Sequence, residues 1–122
     1  MIGEYTAEVN KLLLRILDLI QQGLGLEYGI FREEMRRKQL LAVNHYPPCP
    51  DPSLALGTDR HSDPNLISII NDGGKPGIQF LKDGQWFNIE PIPNSFSVFI
   101  GCQLQVHVYM YMDLRPHHIV IN

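Results

Sequence analysis

Two cysteines, Cys49 and Cys102, in 122 residues are too few for a disulfide framework or a thiolate zinc site. Both thiols are therefore read as bystanders in a reducing setting. No apolar run approaches the ~20 residues that cross a bilayer, so a membrane is not an expected partner. Neither charge sign dominates: Lys and Arg number 10, Asp and Glu 13, and the net charge is -3. That balance removes the electrostatic footprint of a nucleic-acid or anionic-surface ligand. The N-terminus, Met1-Ile2-Gly3-Glu4-Tyr5, lacks the basic-then-apolar layout of a signal peptide, and a cytoplasmic location is expected. Repeats, linkers and low-complexity tracts are missing too. What is present, 44% hydrophobic and 19% charged residues, suits one soluble domain with one core, here residues 1–122, and a monomer is expected.

The helical signal is confined to the first third. Val9, Leu12, Leu13, Ile16, Leu17, Ile20 and Leu24 recur at three- and four-residue steps, which predicts an amphipathic helix from Thr6 to Leu24. Thr6 is the candidate cap, and Gly23 and Gly25 supply the stop. A second helical piece is expected from Tyr28 to Lys38, whose mixed charges read as a solvated face. Together these make a helical layer over residues 1–38.

From Gln39 the pattern changes to short strands. Gln39 to Tyr46 reads as a strand-like run, ended by Pro47-Pro48-Cys49-Pro50-Asp51-Pro52, where proline density forbids a ladder. Leu66 to Asn71, Gly77 to Lys82, Gln85 to Glu90, Ser95 to Ile100, Gln103 to Met112 and Ile119 to Ile121 are the further strand candidates. Asp83-Gly84 between two of them is a two-residue hairpin signal. Short strands separated by turns, without helices between them, indicate a sandwich, jelly roll or barrel over residues 39–122. The expected fold class is mainly β with N-terminal helices.

The chemistry-bearing stretch is His61-Ser62-Asp63. On an extended chain, residues two apart point to one side. With a second histidine, two imidazoles and one carboxylate would face one metal and leave coordination positions open, which suits non-haem Fe(II). Alone, a His-x-Asp pair is equally a surface hydrogen-bonded pair. The candidates for the third ligand are His45, His107, His117 and His118.

The surrounding motifs are more specific. Asn44-His45-Tyr46-Pro47-Pro48-Cys49-Pro50, Ala55-Leu56-Gly57, His61-Ser62-Asp63, Gly77-Ile78-Gln79-Phe80 and Gly101-Cys102-Gln103-Leu104-Gln105 follow one another in order. This series resembles the plant Fe(II)/2-oxoglutarate-dependent dioxygenases, a family that includes flavonoid-, gibberellin- and alkaloid-modifying oxygenases. The resemblance implies a double-stranded β-helix (jelly roll) with iron at its mouth. It implies His61, Asp63 and His117 as metal ligands, the last favoured over His118 by the register counted from Gly101. It implies Tyr46 and Asn44 as contacts to 2-oxoglutarate; Asn44 is otherwise a turn former.

The implied cofactor is Fe(II), with 2-oxoglutarate as cosubstrate and ascorbate as an accessory reductant. The implied partners are O2 and a small secondary metabolite or hormone, which is hydroxylated or desaturated. Several departures are visible. His118 stands where arginine is usual, Cys102 replaces an acidic residue, and residues 107–116 lack the Asn-Gly turn and Lys-Ser pair. No Arg-x-Ser follows the distal histidine within these 122 residues, so a truncated form is expected. The rival reading is a catalytically inactive remnant that serves as a metal-binding or interaction module; a structural zinc site with the same ligands is weaker still.

Overall fold

The computed structural model describes residues 1–31, 39–112 and 120–121. The chain divides into two compact units, Met1–Tyr46 and Pro47–Asn122.

In the first unit, helix α1 runs over Ile2–Gly23. It starts four residues earlier than the sequence predicts, and Thr6 is not its cap. The Thr6 hydroxyl instead donates back to the Ile2 carbonyl at 2.9 Å, a bond that serine and threonine make inside helices. Leu13, Leu17 and Gln21, spaced by four, are the buried positions of this helix. Gln21 is tolerated there because its amide is bonded: Nε2 donates to the Leu17 carbonyl and Oε1 accepts from the Phe31 N–H at 3.3 Å. The helix ends as the glycines predict. Gly25 takes φ +67, its N–H reaches the Gln22 carbonyl, and the Leu26 N–H reaches the Gln21 carbonyl. That pair of bonds satisfies carbonyls that a helix end otherwise leaves open. No helix among the described residues is long and apolar enough to cross a membrane.

Two expectations for this unit change. Tyr28 and Gly29 form a turn, helix begins at residues 30–31, and residues 32–38 of the expected piece lie outside the described residues. Residues 39–46 are exposed and form no strand. Their composition is strand-like, but a strand needs a ladder partner for its N–H and C=O groups, and no described strand pairs with them.

The second unit opens with a single 3-10 turn, Pro52–Leu54. Asp51 caps it by accepting from the Ser53 hydroxyl at 2.6 Å and the Ser53 N–H at 3.0 Å. These two bonds, the hydroxyl's first, hold the Asp51 carboxyl below its ordinary pKa. Five strands follow: β1 (Ile67–Ile70), β2 (Gln79–Lys82), β3 (Gln85–Asn88), β4 (Ser97–Ile100) and β5 (Val120–Ile121). They make two sheets, an antiparallel β1–β4 pair and a three-stranded sheet ordered β3-β2-β5.

The β2–β3 hairpin closes at Asp83-Gly84, with φ 51 and 78. Two successive positive φ values are what a type I′ turn requires, and its twist matches that of the strands. Phe80 and Phe87, opposite each other in the register, stack with centroids 5.2 Å apart. A Cβ on Gly84 would meet no atom within 4 Å, so its replacement carries only a conformational cost. Gly84→Ala is expected to lose about 1–2 kcal/mol, read as a fall of several degrees in the thermal midpoint. An unchanged midpoint would show that the turn does not hold the hairpin.

The largest departure from expectation is Cys102–Met112, which forms helix α2 rather than a strand. Val106, Val108, Tyr109 and Tyr111 suit strands, so composition alone misleads. Two physical facts decide otherwise. No Gly, Asn, Asp or Pro falls between Cys102 and Met112 to turn a hairpin. The first N–H groups of α2 also find acceptors outside the helix: Cys102 donates to the Asp63 carbonyl at 2.7 Å, and Gln103 to the Asn65 carbonyl at 3.1 Å. Leu66, Ile67, Phe99 and Leu104 are the buried apolar side chains of this unit among the described residues. The second unit is therefore less purely β than expected, carrying helix α2 as well as two small sheets.

Candidate metal centre

His61 and Asp63 sit on the segment that leads into β1. Backbone bonds fix that segment from α2 and from the end of β4. Besides the two bonds at the start of α2, the Gly101 N–H donates to the Leu66 carbonyl at 2.8 Å. Gly101 permits this approach because it has no side chain. A Cβ there would lie 2.1 Å from the Asn65 carbonyl oxygen.

The structure brings His61 and Asp63 together, with Nε2 and Oδ1 3.4 Å apart. The His61 ring is held from its other side by the Asp59 carbonyl, 2.8 Å from Nδ1. A carbonyl only accepts, so the proton belongs on Nδ1, and the neutral ring presents the lone pair of Nε2 to the carboxylate. This is the second-sphere arrangement that orients a metal-bound histidine. Two electron-rich atoms so placed need a cation or a proton between them.

The spacing also suits one ion. With metal–ligand bonds of about 2.1 Å, two ligand atoms at a right angle stand about 3 Å apart, so 3.4 Å needs only a small adjustment. Asp63 is largely withdrawn from solvent and His61 is exposed, which leaves the imidazole side open to incoming groups. The residues present therefore fit a divalent metal with oxygen and nitrogen ligands.

Of the other sequence-derived candidates, Asn44 and Tyr46 lie on the exposed segment 39–46 of the first unit. His117 and His118 lie outside the described residues. Among the described residues no third His, Cys, Asp or Glu joins His61 and Asp63. His107 does not approach as a candidate ligand through Nδ1, which is 2.7 Å from the Gln103 carbonyl of its own helix. The first described residue after His117 and His118 is Val120, which pairs with Leu81 of β2.

Sequence reasoning missed two side chains of the site. The Ser68 hydroxyl donates to Asp63 Oδ2, and the Asn65 amide donates to Ser68 Oγ at 2.9 Å. A signal existed. Ser68 is the one polar residue in the apolar run Leu66-Ile67-Ser68-Ile69-Ile70, and a polar interruption of a strand asks for a partner.

Residues 37–120 match the 2OG-Fe(II) oxygenase superfamily. The chain is 44% identical over 124 residues to hyoscyamine 6-dioxygenase of Hyoscyamus niger, covering 100% of this chain and 36% of that protein. It is 42% identical over 107 residues to flavanone 3-dioxygenase 2 of Oryza sativa subsp. japonica, covering 86% of this chain and 31% of the relative. Among solved structures, the crystal structure of JOX2 in complex with 2OG, Fe and JA is similar with a TM-score of 0.78 at 32% identity. That match covers 98% of this chain and 36% of the other. The chain thus spans roughly a third of the length of the curated relatives it matches.

Proposed function

We propose that this chain, which belongs to the 2OG-Fe(II) oxygenase superfamily, works as an Fe(II)- and 2-oxoglutarate-dependent oxygenase on a small organic metabolite. The His61–Asp63 pair is the observation that carries the reading: Nε2 and Oδ1 stand 3.4 Å apart, with Nδ1 tied back to a carbonyl. His61, Asp63 and His117 hold the iron in this reading. His117 supplies the second imidazole.

When bound, iron and 2-oxoglutarate would supply the oxidising chemistry: one atom of O2 enters the succinate formed from 2-oxoglutarate with loss of CO2, and the other goes to the substrate or leaves as water with a pair of its hydrogens. The chain's own residues bind and orient. The Asp59 carbonyl fixes the His61 tautomer, and the Ser68 hydroxyl holds one oxygen of Asp63, leaving the other for the metal. Tyr46 and Asn44 are assigned to 2-oxoglutarate by the family resemblance of their motif alone. Hyoscyamine 6-dioxygenase and flavanone 3-dioxygenase 2 bear names of oxygenases of plant secondary metabolites, which supports the same substrate class here. The two antiparallel sheets fit as part of a double-stranded β-helix, a reading supported by the similarity to the JOX2 structure.

An anaerobic titration tests the proposal. The chain loaded with one equivalent of Fe(II) is expected to develop a visible charge-transfer absorption on adding 2-oxoglutarate, and succinate on admitting O2. Iron binding with no such band would leave a metal-binding module and overturn the oxygenase reading. No iron binding at all would overturn the metal site as well.

A further inference from the structure

All three oxygens of Asp63 have a neighbour in the structure. Its main-chain carbonyl accepts from Cys102 at the start of α2. Its Oδ1 faces His61 Nε2. Its Oδ2 accepts from the Ser68 hydroxyl. The direction of the last bond follows from proton count. A hydroxyl has one proton, and Asn65 Nδ2 already donates into Ser68 Oγ at 2.9 Å. The Ser68 proton is therefore committed to Asp63, whose ionised carboxylate only accepts. Ser68 itself is a β1 residue paired with Phe99 of β4, so the sheet register, rather than a loop, sets where its hydroxyl stands.

We infer that Ser68, supported by Asn65, is a positioning residue for the metal site: it occupies Oδ2 so that Asp63 offers Oδ1 alone to the ion. The inference rests on the reading that His61 and Asp63 ligate a metal. Its consequence is one-oxygen ligation, which keeps a coordination position free for an incoming cosubstrate. Without the hydroxyl the carboxylate can rotate, and its second oxygen becomes available to the ion or to water. Hydrogen-bond partners of metal ligands are typically worth 10–100-fold in metal affinity.

Two substitutions that differ only in the hydroxyl isolate this effect. Ser68→Thr keeps the donor, whereas Ser68→Val removes it at nearly equal volume, and both residues suit a strand. Co(II) is the probe, since its visible absorption reports the coordination number and geometry and it is stable in air. The 122-residue chain is titrated with Co(II), and circular dichroism confirms that each variant is folded.

Ser68→Thr is expected to bind within about threefold of the parent chain with the same spectrum. Ser68→Val is expected to bind 10–100-fold more weakly with an altered spectrum, and Asn65→Ala to lose less than tenfold. If the Thr and Val variants bind alike with one spectrum, Ser68 has no positioning role and the inference fails while the metal site stands. If the parent chain binds no Co(II), the metal-site reading itself falls, and this inference with it.

Discussion

His61→Ala is expected to abolish high-affinity iron binding, lowering affinity by more than about 100-fold and removing the 2-oxoglutarate charge-transfer band. The magnitude follows from comparison. Outer-sphere partners cost 10–100-fold when lost, and a directly bound imidazole contributes more than its supports. Asp63→Ala should fall as far, because it removes the anionic ligand and leaves Ser68 and Asn65 with nothing to orient. His107→Ala serves as the control. His107 lies on α2 with its Nδ1 at the Gln103 carbonyl, and its loss should leave iron binding within about twofold. Isothermal titration with anaerobic Fe(II), read alongside the visible spectrum, distinguishes these cases. Retention of the band in the His61 variant would show that the ligand assignment is wrong.

Gly101→Ala is expected to be strongly destabilising. The new Cβ would lie 2.1 Å from the Asn65 carbonyl oxygen and 2.7 Å from its carbon. Those are backbone atoms, so no side-chain rotation relieves the clash. Overpacking costs typically 1–3 kcal/mol, and here three hydrogen bonds between 63–66 and 101–103 would be displaced too. A loss of at least about 3 kcal/mol follows, a large share of the 5–15 kcal/mol that holds a domain together. The thermal midpoint should drop by more than about 12 °C. Iron affinity should weaken in whatever fraction stays folded, since the Asp63 carbonyl is one of the displaced acceptors. Gly3→Ala gives the opposite sign. Gly3 lies in α1 with nothing within 4 Å of a Cβ, and replacing a helical glycine stabilises by roughly 0.5–1 kcal/mol. Equal midpoints for the two variants would show that the Gly101 contact does not matter.

Much of this was legible in the residues. The recurrence of Val9, Leu12, Leu13, Ile16, Leu17, Ile20 and Leu24 marked a helix, of whose stripe Leu13 and Leu17 are buried while Gln21 was not foreseen, and the glycines after it marked its end. Asp83-Gly84 named its own turn, because few residue pairs accept two positive φ values. These features are local, and local physics suffices for them. Residues 39–46 and 103–112 were misread for one shared reason. Both are rich in residues that fit a pleated sheet, yet strand formation depends on a partner elsewhere in the chain. The first stretch has none among the described residues. The second lacks a turn to fold back on, while carbonyls of Asp63 and Asn65 stand ready to start a helix.

The candidate site divides along the same line. By itself the sequence determined the His-x-Asp spacing of the candidate ligands and the family to which the chain belongs, since these rest on residues adjacent along the chain. Only the tertiary structure decided how the ligands are held: the Asp59 carbonyl on His61, the Ser68 hydroxyl on Asp63, and the bare Gly101 backbone against Asn65. Hydrogen bonds and close approaches between separated segments depend on where the backbone carries each atom. Composition and spacing do not contain that information.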